Sequence, residues 1–397
     1  MAKAAGKNLR YLRENNTKEV IRYLAIHGGT SRIQLSKELG LSKMTITNIV
    51  SDLLEMGLIN EIGISRQTEN VTTGPKPVLL AIRKNRILSI GIFISRERIL
   101  ATLGDIASGE LCFDERPVTP GYQVEQLIED VSDLIESMLA YDESWRKYIV
   151  GIGIAMVGLV DSQNGVFVRS TNLLGDTSVP VKEILEKRFP YPVFVRNDMQ
   201  ASALAEQVYG LGRECSDFVY LGITYGIGTA VVSNGKVLTG SRGFAVEAGH
   251  MSVNCDGELC SCGNRGCVEV YASLPVLLRK TESADVEEMM DKYREKEQRT
   301  CRIMDEFVHV ISVSLTNVAN IFDIDKIIIG YEGALFDERI LKAVEDNINR
   351  ACLWRKEKKV KVEVSSLKSL GPIRGAATIV FQNLYMEQRI LEDKYMQ

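Results

Sequence analysis

The sequence of 397 residues lacks any long hydrophobic run. Its longest apolar stretch, residues 149–160, is too short to cross a bilayer and instead predicts a buried strand. The first residues, MAKAAGKNLRYLRENN, contain no apolar segment of the kind that a secretory signal needs. We therefore expect a cytoplasmic protein with no membrane partner.

The sequence also has little net charge, −4 in total, but the charge is unevenly distributed. Residues 1–86 contain 14 Lys and Arg against 7 Asp and Glu, whereas the rest of the chain contains 34 against 45. A basic N-terminal part on an acidic body indicates an anionic partner, such as DNA, for the first part only. On charge alone, a solvated basic surface is an equally good interpretation.

The N-terminal segment predicts a helix-turn-helix. Apolar residues at helical spacing indicate a first helix over residues 15–28. Ser31 and Ser42 are good N-caps for a second helix, RIQLSKEL, and a third helix, KMTITNIVSDLLEMG. From the second helix, Ile33, Leu35 and Leu39 are expected to face the core. The core face of the third helix is predicted to consist of Ile46, Ile49, Val50, Leu53 and Leu54, and Gly57 is the predicted C-cap.

The start of the third helix carries the predicted DNA contacts. In a helix-turn-helix these positions reach base edges in the major groove, and here they are Lys43, Met44, Thr45, Thr47 and Asn48. Two short strands over residues 58–64 and 77–82 then flank a polar segment, which is the pattern of a wing. Its basic residues Arg66 and Lys76 are expected to bind phosphate or the minor groove. The alternative is a small helical protein-interaction domain.

From residue 87 onward, strands alternate with helices, and the order repeats from residue 218. This duplication predicts two α/β lobes with a cleft between them.

The strongest motif in the sequence is a cluster of three cysteines behind a histidine. His250 precedes Cys260, Cys262 and Cys267, and one imidazole with three thiolates suits a structural, tetrahedral Zn²⁺. Three glycines within the motif permit the tight turns that such close ligands need. We expect one zinc ion per chain. The alternative is a loop of free thiols, because disulfides are rare in the cytosol.

This motif resembles the zinc signature of the ROK family of repressors, open reading frames and kinases. The matching residues run from His250 through Cys260-Ser-Cys-Gly-Asn-Arg-Gly-Cys267 to Glu269. The preceding Glu247-Ala-Gly-His resembles the family's Glu-x-Gly-His sugar motif. Because these motifs follow a predicted winged helix, the chain is similar to the N-acetylglucosamine and xylose repressor branch of the family. The resemblance implies a winged helix-turn-helix (residues 1–82) followed by a two-lobed, actin-like, sugar-kinase-type α/β body (residues 83–200 and 201–397).

The resemblance also implies a sugar site. Its residues would be Asn172, Asn197, Asp198, Glu247, His250 and Glu269, and carboxylates and amides are suitable partners for vicinal hydroxyl groups. His250 would bind zinc with one ring nitrogen and face the sugar with the other. Each residue also has a structural interpretation: Asp198 as a helix N-cap, and the two glutamates as groups that orient the zinc ligands.

Three phosphate-binding turns depart from the kinase pattern of the family. The kinases of the family have a motif that resembles Asp-x-Gly-Gly-Thr at the first turn. In this chain, Phe93 stands at the aspartate position, Ser95 and Arg96 replace the two glycines, and Glu97 replaces the threonine. A carboxylate there is unfavourable for phosphate, and side chains block close approach of the backbone. The second turn, residues 224–230, and the third, residues 330–333, are altered too. This predicts a repressor that is not an enzyme and that keeps Asp198 for binding.

The expected partners are therefore operator DNA, a small sugar effector and a second or further copies of the chain, as a homodimer or homotetramer. Two alternatives stay open at this point. The first is a sugar kinase with an appended DNA-binding domain, and the second is a repressor that responds to a protein effector.

Overall fold

The computed structural model describes residues 2–64, 77–107, 109–119, 121–170, 173–175 and 177–386. The chain forms two compact units. The first contains residues 1–158, 164–196 and 376–397, and the second contains residues 159–163 and 197–375. Among the described residues, no helix combines the length and apolar character needed to cross a membrane.

The first unit begins with a winged helix-turn-helix. Its elements are α1 (Ala2–His27), β1 (Thr30–Ser31), α2 (Arg32–Glu38), α3 (Lys43–Glu55), β2 (Ile59–Ile64) and β3 (Val78–Ile82). The three strands form one antiparallel sheet in the order β1-β3-β2. Residues 65–76, which include Arg66 and Lys76, lie outside the described residues.

Local signals explain where these helices begin and end. The Ser31 side chain accepts a hydrogen bond from the Gln34 amide, and the Ser42 side chain accepts one from the Thr45 amide. Both predicted N-caps are confirmed, because each supplies an acceptor to an amide of the first helical turn. Gly57 has a φ of +67°, and the amide of Leu58 bonds back to Leu53, so α3 ends in a Schellman motif.

The core of the winged helix is built from α1, α3 and the wing strands. Leu35, Ile46, Ile49, Val50 and Leu53 are all buried, as predicted. The prediction for Ile33 was wrong, since its side chain is 63% exposed. The helix α2 has only seven residues. Leu35 lies in the core, and Leu39, the C-cap of α2, is partly buried against it, as predicted.

The remainder of the first unit is an α/β layer. Its strands are β4 (Leu88–Ile94), β5 (Arg98–Asp105), β6 (Gly109–Pro117), β7 (Ile149–Met156), β9 (Val166–Arg169) and β10 (Val193–Asn197), and its helices are α4 (Val124–Ala140) and α5 (Val181–Arg188). The five-stranded sheet has the order β10-β7-β4-β5-β6. The helix α4 lies against β5 and β6. It buries Leu127, Val131, Leu134 and Ile135.

The last helix, α12 (Gly371–Met386), is divided between the two units. Its residues up to Gly375 belong to the second unit, and its residues from Ala376 onward belong to the first. Ser89 of β4 donates a hydrogen bond to the Ala377 carbonyl. A Cβ atom on Gly153 of β7 would lie 1.9 Å from the Ala376 carbonyl oxygen, so the helix packs closely because small residues line both sides. The sequence prediction placed these residues in the second lobe.

The second unit repeats the architecture of the first. Its strands are β8 (Leu159–Asp161), β11 (Phe218–Ile223), β12 (Ile227–Ser233), β13 (Lys236–Val237), β14 (Lys326–Tyr331) and β15 (Lys361–Val364). Its helices are α6 (Asp198–Tyr209), α7 (Glu269–Ala272), α8 (Leu274–Thr281), α9 (Val286–Arg294), α10 (Gln298–Phe322) and α11 (Glu338–Ala351).

The two main sheets share one strand order. In each, three strands form an antiparallel meander, β4-β5-β6 or β11-β12-β13, and the next strand pairs in parallel with the first strand of the meander. The predicted duplicated α/β body is therefore confirmed. The core of the second unit lies between its sheet and α10, which buries Met304, Phe307, Ile311 and Leu315.

Candidate functional site

A carboxylate lies buried where β10 ends and α6 begins. Asn197 has an extended backbone, and its side chain accepts a hydrogen bond of 2.8 Å from the Met199 amide, so Asn197 is the N-cap of α6. Asp198 is the first helical residue and is 2% exposed. The prediction that Asp198 acts as the N-cap was therefore wrong, because the capping role falls to the residue before it.

Asp198 is held by polar neighbours. The Tyr331 hydroxyl donates a hydrogen bond of 2.6 Å to Oδ2 of Asp198. Burial raises the pKa of Asp198 to about 6, although hydrogen bonds from Tyr331, the nearby backbone and Asn197 favour the ionised form. The carboxylate is thus a buried acceptor whose charge is only partly compensated.

Glu247 lies near two other carboxylates, Asp198 and Glu269. Loss of hydration raises the pKa of Glu247 to about 7, and repulsion by Asp198 and by Glu269 adds to this effect. Glu247 is nevertheless exposed to solvent, so a ligand can reach it. Three of the predicted sugar residues therefore come together in the second unit, and a neutral polyol is a suitable partner because its hydroxyl groups donate to carboxylates.

The segment that carries Glu247 is fixed by two residues that the sequence analysis missed. The buried Gln200 side chain donates to the carbonyls of Gly243 and Ala245, at 2.9 and 2.8 Å. Thr229 donates to the carbonyl of Val246 at 2.6 Å and accepts from the Ala248 amide. No local pattern identifies these contacts, since each joins residues 17 to 45 positions apart.

Tyr331 is the third missed residue of the site. It ends β14 with a φ of +55°, a conformation that non-glycine residues rarely adopt. It lies within the third predicted phosphate turn, residues 330–333, whose sequence departs from the kinase pattern. The residue at this position reaches Asp198, which lies 133 positions earlier in the chain.

The four predicted metal ligands form one cluster. The ligand atoms of His250, Cys260, Cys262 and Cys267 all lie within 4.8 Å of one another. The Cys262 and Cys267 sulfur atoms are 3.7 Å apart, as are the Cys260 sulfur and Nδ1 of His250. Tetrahedral zinc with Zn–S bonds of about 2.3 Å requires sulfur atoms about 3.8 Å apart, so this donor set fits such an ion.

Glycines allow the chain to turn within this cluster. Gly263 and Gly266 have φ values of +92° and +66°. A Cβ atom on Gly257 would lie 2.1 Å from the Tyr271 hydroxyl.

Cys260 and Cys267 are buried and Cys262 is exposed, which places the metal cluster at the protein surface. Cys255, which the prediction left outside the ligand set, is also outside the cluster.

The predicted DNA-contacting residues differ in solvent exposure and in whether their side chains are already hydrogen-bonded. Lys43, Met44, Thr47 and Asn48 are exposed on α3, whereas Thr45 is half-buried. Thr45 Oγ1 lies 2.9 Å from Ser42 Oγ, and Thr47 Oγ1 donates to the Lys43 carbonyl at 2.8 Å. The two threonine hydroxyls are thus engaged within the helix. Asn172, predicted for the sugar site, lies outside the described residues, as do Arg66 and Lys76.

Two family models match the chain. One, described as winged helix-turn-helix DNA-binding, covers residues 13–60. The other, described as ROK family, covers residues 89–383. The chain belongs to the ROK family.

Relatives within this ROK family share nearly the whole chain. The xylose repressor of Caldicellulosiruptor bescii is 30% identical over 373 residues, which are 89% of this chain and 92% of that protein.

Solved structures share the fold. A ROK family transcriptional regulator, a homolog of the E. coli MLC protein, matches with a TM-score of 0.78 at 23% identity, over 94% of this chain and 97% of its own. The ROK hexokinase from Thermus thermophilus matches with a TM-score of 0.67 at 24% identity, over 76% of this chain and 100% of its own. The sugar-kinase-type body is therefore present in this ROK protein, and fold alone does not separate a regulator from a kinase.

Proposed function

We propose that the chain is a transcriptional repressor that binds operator DNA through its winged helix and is controlled by a sugar bound at Asp198, Glu247 and Glu269. The observation that carries this proposal is the exposed N-terminal half of α3 on a chain that belongs to the ROK family. Its exposed side chains are not needed for the core, and they occupy the positions that read the major groove.

The sugar part of the proposal rests on the three carboxylates. A buried, partly uncompensated acceptor such as Asp198 gains hydrogen bonds when hydroxyl groups bind, whereas an anionic ligand would add repulsion. Asn197, His250 and Asn172 complete the proposed sugar contacts. The name of the relative, a xylose repressor, makes xylose the first sugar to test.

We propose that the protein binds sugar without phosphorylating it. At the turn between β4 and β5, the Ser95 side chain accepts hydrogen bonds from the amides of Glu97 and Arg98, at 3.4 and 3.2 Å. In a phosphate-binding turn such amides would face the phosphate oxygens. Ser95 therefore competes for the donors that a nucleotide would need.

In the second phosphate turn, too, side chains already accept hydrogen bonds from the backbone amides. The Gly226 amide bonds to the Thr224 hydroxyl at 3.2 Å, and the Ile227 amide bonds to the Glu269 carboxylate at 3.3 Å. A carboxylate at this amide opposes the approach of phosphate, since both groups are negatively charged. These contacts support binding without phosphoryl transfer, which depends on positioning the phosphates.

For the metal cluster we propose one structural Zn²⁺ per chain. Zinc would hold the segment that joins Glu247 to Glu269, because its ligands lie between these two carboxylates in the sequence. Bound through Nδ1, it would also fix the tautomer of His250 and leave Nε2 for a sugar hydroxyl.

Operator binding implies more than one copy of the chain. A single helix-turn-helix contacts few base pairs, so we propose at least a homodimer that binds two half-sites, and a homotetramer is the larger alternative. We propose that residues 1–82 form the DNA-binding part and that residues 83–200 and 201–397 supply the two lobes, with the residues from Ala376 onward packed in the first unit. A protein that acts on operator DNA would work in the cytoplasm.

The deciding experiment measures operator affinity with and without saturating xylose, on wild type and on Glu247→Gln. A ligand can shift affinity only through a different affinity for the two states of the protein. We expect sugar to lower operator affinity in the wild type and to have no effect in the variant. Unchanged wild-type affinity across a panel of pentoses, hexoses and N-acetylhexosamines would favour a protein effector.

The kinase alternative has a separate test. With ATP, Mg²⁺ and the same sugar panel, we expect no sugar-dependent release of ADP. Turnover at about 1–100 s⁻¹, the usual range for kinases, would establish a sugar kinase with an appended DNA-binding domain.

A further inference from the structure

The recognition helix α3 presents two free side chains of different chemistry. Met44 is 75% exposed, although methionine is usually buried. Asn48 is also exposed and forms no side-chain hydrogen bond to the part of the chain that the structure describes. The two residues are four positions apart, so they lie on one face of the helix.

The other candidates on this helix are less suited to reading bases. The Thr45 hydroxyl is engaged with the N-cap Ser42, and the Thr47 hydroxyl is engaged with the helix backbone. Lys43 carries a mobile positive charge at the start of the helix, which suits a phosphate group. Of the five predicted contacts, Met44 and Asn48 are therefore the two exposed side chains that have neither an engaged hydroxyl nor a charge suited to phosphate.

Resting on the proposed function, we propose that Met44 contacts the 5-methyl group of a thymine and that Asn48 forms paired hydrogen bonds with an adenine in each half-site. In the major groove, only thymine presents a methyl group, and the N6 and N7 atoms of adenine match the donor and acceptor of an asparagine amide. An apolar side chain that fills no core position gains free energy when it covers such a methyl group, because both apolar surfaces leave water.

The spacing on the helix limits where the two bases lie. Four helical residues span about 6 Å along the axis, whereas successive base pairs are about 3.4 Å apart. The thymine and the adenine are therefore expected within about two base pairs of each other, on either strand. This gives the half-site a recognisable pattern before any operator is known.

The test uses the full-length protein and an operator selected from a random-sequence duplex library. Each thymine is then replaced in turn by deoxyuridine, which lacks only the methyl group, and each adenine by 7-deazaadenine, which lacks only the N7 acceptor. Affinities are measured for wild type, Met44→Ala, Met44→Leu and Asn48→Ala. The matched control is Ile33→Ala, which removes another exposed apolar side chain, from α2; Ile33 is 63% exposed and Met44 75%.

We expect one thymine per half-site at which deoxyuridine lowers wild-type affinity about fourfold, the equivalent of one buried methyl group. Met44→Ala should lose this response, while Met44→Leu and Ile33→Ala should keep it. At a nearby adenine, 7-deazaadenine should lower affinity about fivefold or more in the wild type and have no effect in Asn48→Ala. All of these positions are exposed, so thermal unfolding should be unchanged.

Two results would overturn the inference while leaving the proposed function intact. One is sequence-selective binding in which Met44→Ala responds to every deoxyuridine as the wild type does. The other is a selected half-site without a thymine and an adenine within about two base pairs. Failure of the wild type to select any sequence would instead refute operator binding itself.

Discussion

The Tyr331 hydroxyl donates a 2.6 Å hydrogen bond to Oδ2 of Asp198 and so occupies one oxygen of this buried carboxylate. An acceptor that is already bound to a phenol hydroxyl is less available to take a proton from a sugar. It remains suitable as a fixed acceptor for a sugar hydroxyl through its other oxygen. The contact therefore favours recognition over catalysis at this site.

Asp198→Asn is expected to stabilise the ligand-free protein at pH 7. The folded-state pKa of about 6 lies above the ordinary value of 3.8, so the native state binds the proton more tightly than the unfolded state. The contribution of Asp198 to stability is then greatest below pH 3.8 and is lost as the pH rises to 6. Removing the charge should recover about 1–3 kcal/mol at pH 7.

The measurement is denaturant unfolding of wild type and Asp198→Asn at pH 4, 6 and 7. The difference between the two proteins should grow with pH and level off above the folded-state pKa. A variant less stable than wild type at pH 7 would show that the ionised Asp198 is fully compensated by its neighbours.

Glu247→Gln is expected to abolish the rise in melting temperature that a bound sugar produces. The amide removes one of the two carboxylate acceptors and the charge, while it keeps the shape of the side chain, so a buried sugar hydroxyl would lose its partner. Glu269→Gln should have the same effect and should also weaken the bond to the Ile227 amide. Thermal shift with the sugar panel measures both.

The matched control is Glu287→Gln, an exposed glutamate in the first turn of α9. It changes the charge by the same amount and should leave the sugar response intact. A sugar response that persists in Glu247→Gln and Glu269→Gln would place the sensing site elsewhere.

Cys262→Ser is expected to reduce bound zinc from one ion per chain to a substoichiometric amount and to destabilise the second unit. A serine hydroxyl stays protonated at neutral pH and is a poor zinc ligand, and the metal contributes directly to folding. Elemental analysis of freshly purified protein and thermal unfolding with and without a chelator give the two readouts. The exposed Cys255→Ser is the control, and it should change neither. Purified wild type with reduced thiols and no zinc would contradict the assignment.

Local signals in the sequence predicted most of the elements, and tertiary contacts explain what they missed. Ser31, Ser42 and Gly57 act on amides and carbonyls within one helical turn, so their roles can be read from the chain. Whether Ile33 is buried depends on what packs against a seven-residue helix, and periodicity over two turns does not decide this. The bond between Tyr331 and Asp198 joins positions 133 residues apart, and only the folded sheet brings them together.

Among the metal and sugar residues, too, sequence separation decides what can be predicted. The cysteine spacing identified the cluster because its ligands are close in sequence and glycines mark the turns. Gln200 and Thr229 gave no signal, since they position Glu247 by bonding to carbonyls of a distant segment. Sequence therefore predicted the groups that contact a ligand better than the groups that hold them in place.

The last prediction distinguishes helix capping from base reading at the start of α3. Ser42→Ala removes the acceptor for the Thr45 amide and should cost about 1 kcal/mol of winged-helix stability. Thr45→Ala removes a half-buried hydroxyl that lies against Ser42. Both should lower affinity for all DNA sequences by a similar factor, because they loosen the helix and remove no base contact. Binding to the selected operator and to its single-base variants, at two salt concentrations, checks this. A change in base preference in Thr45→Ala would mean that its hydroxyl leaves Ser42 to contact a base, as the sequence alone suggested.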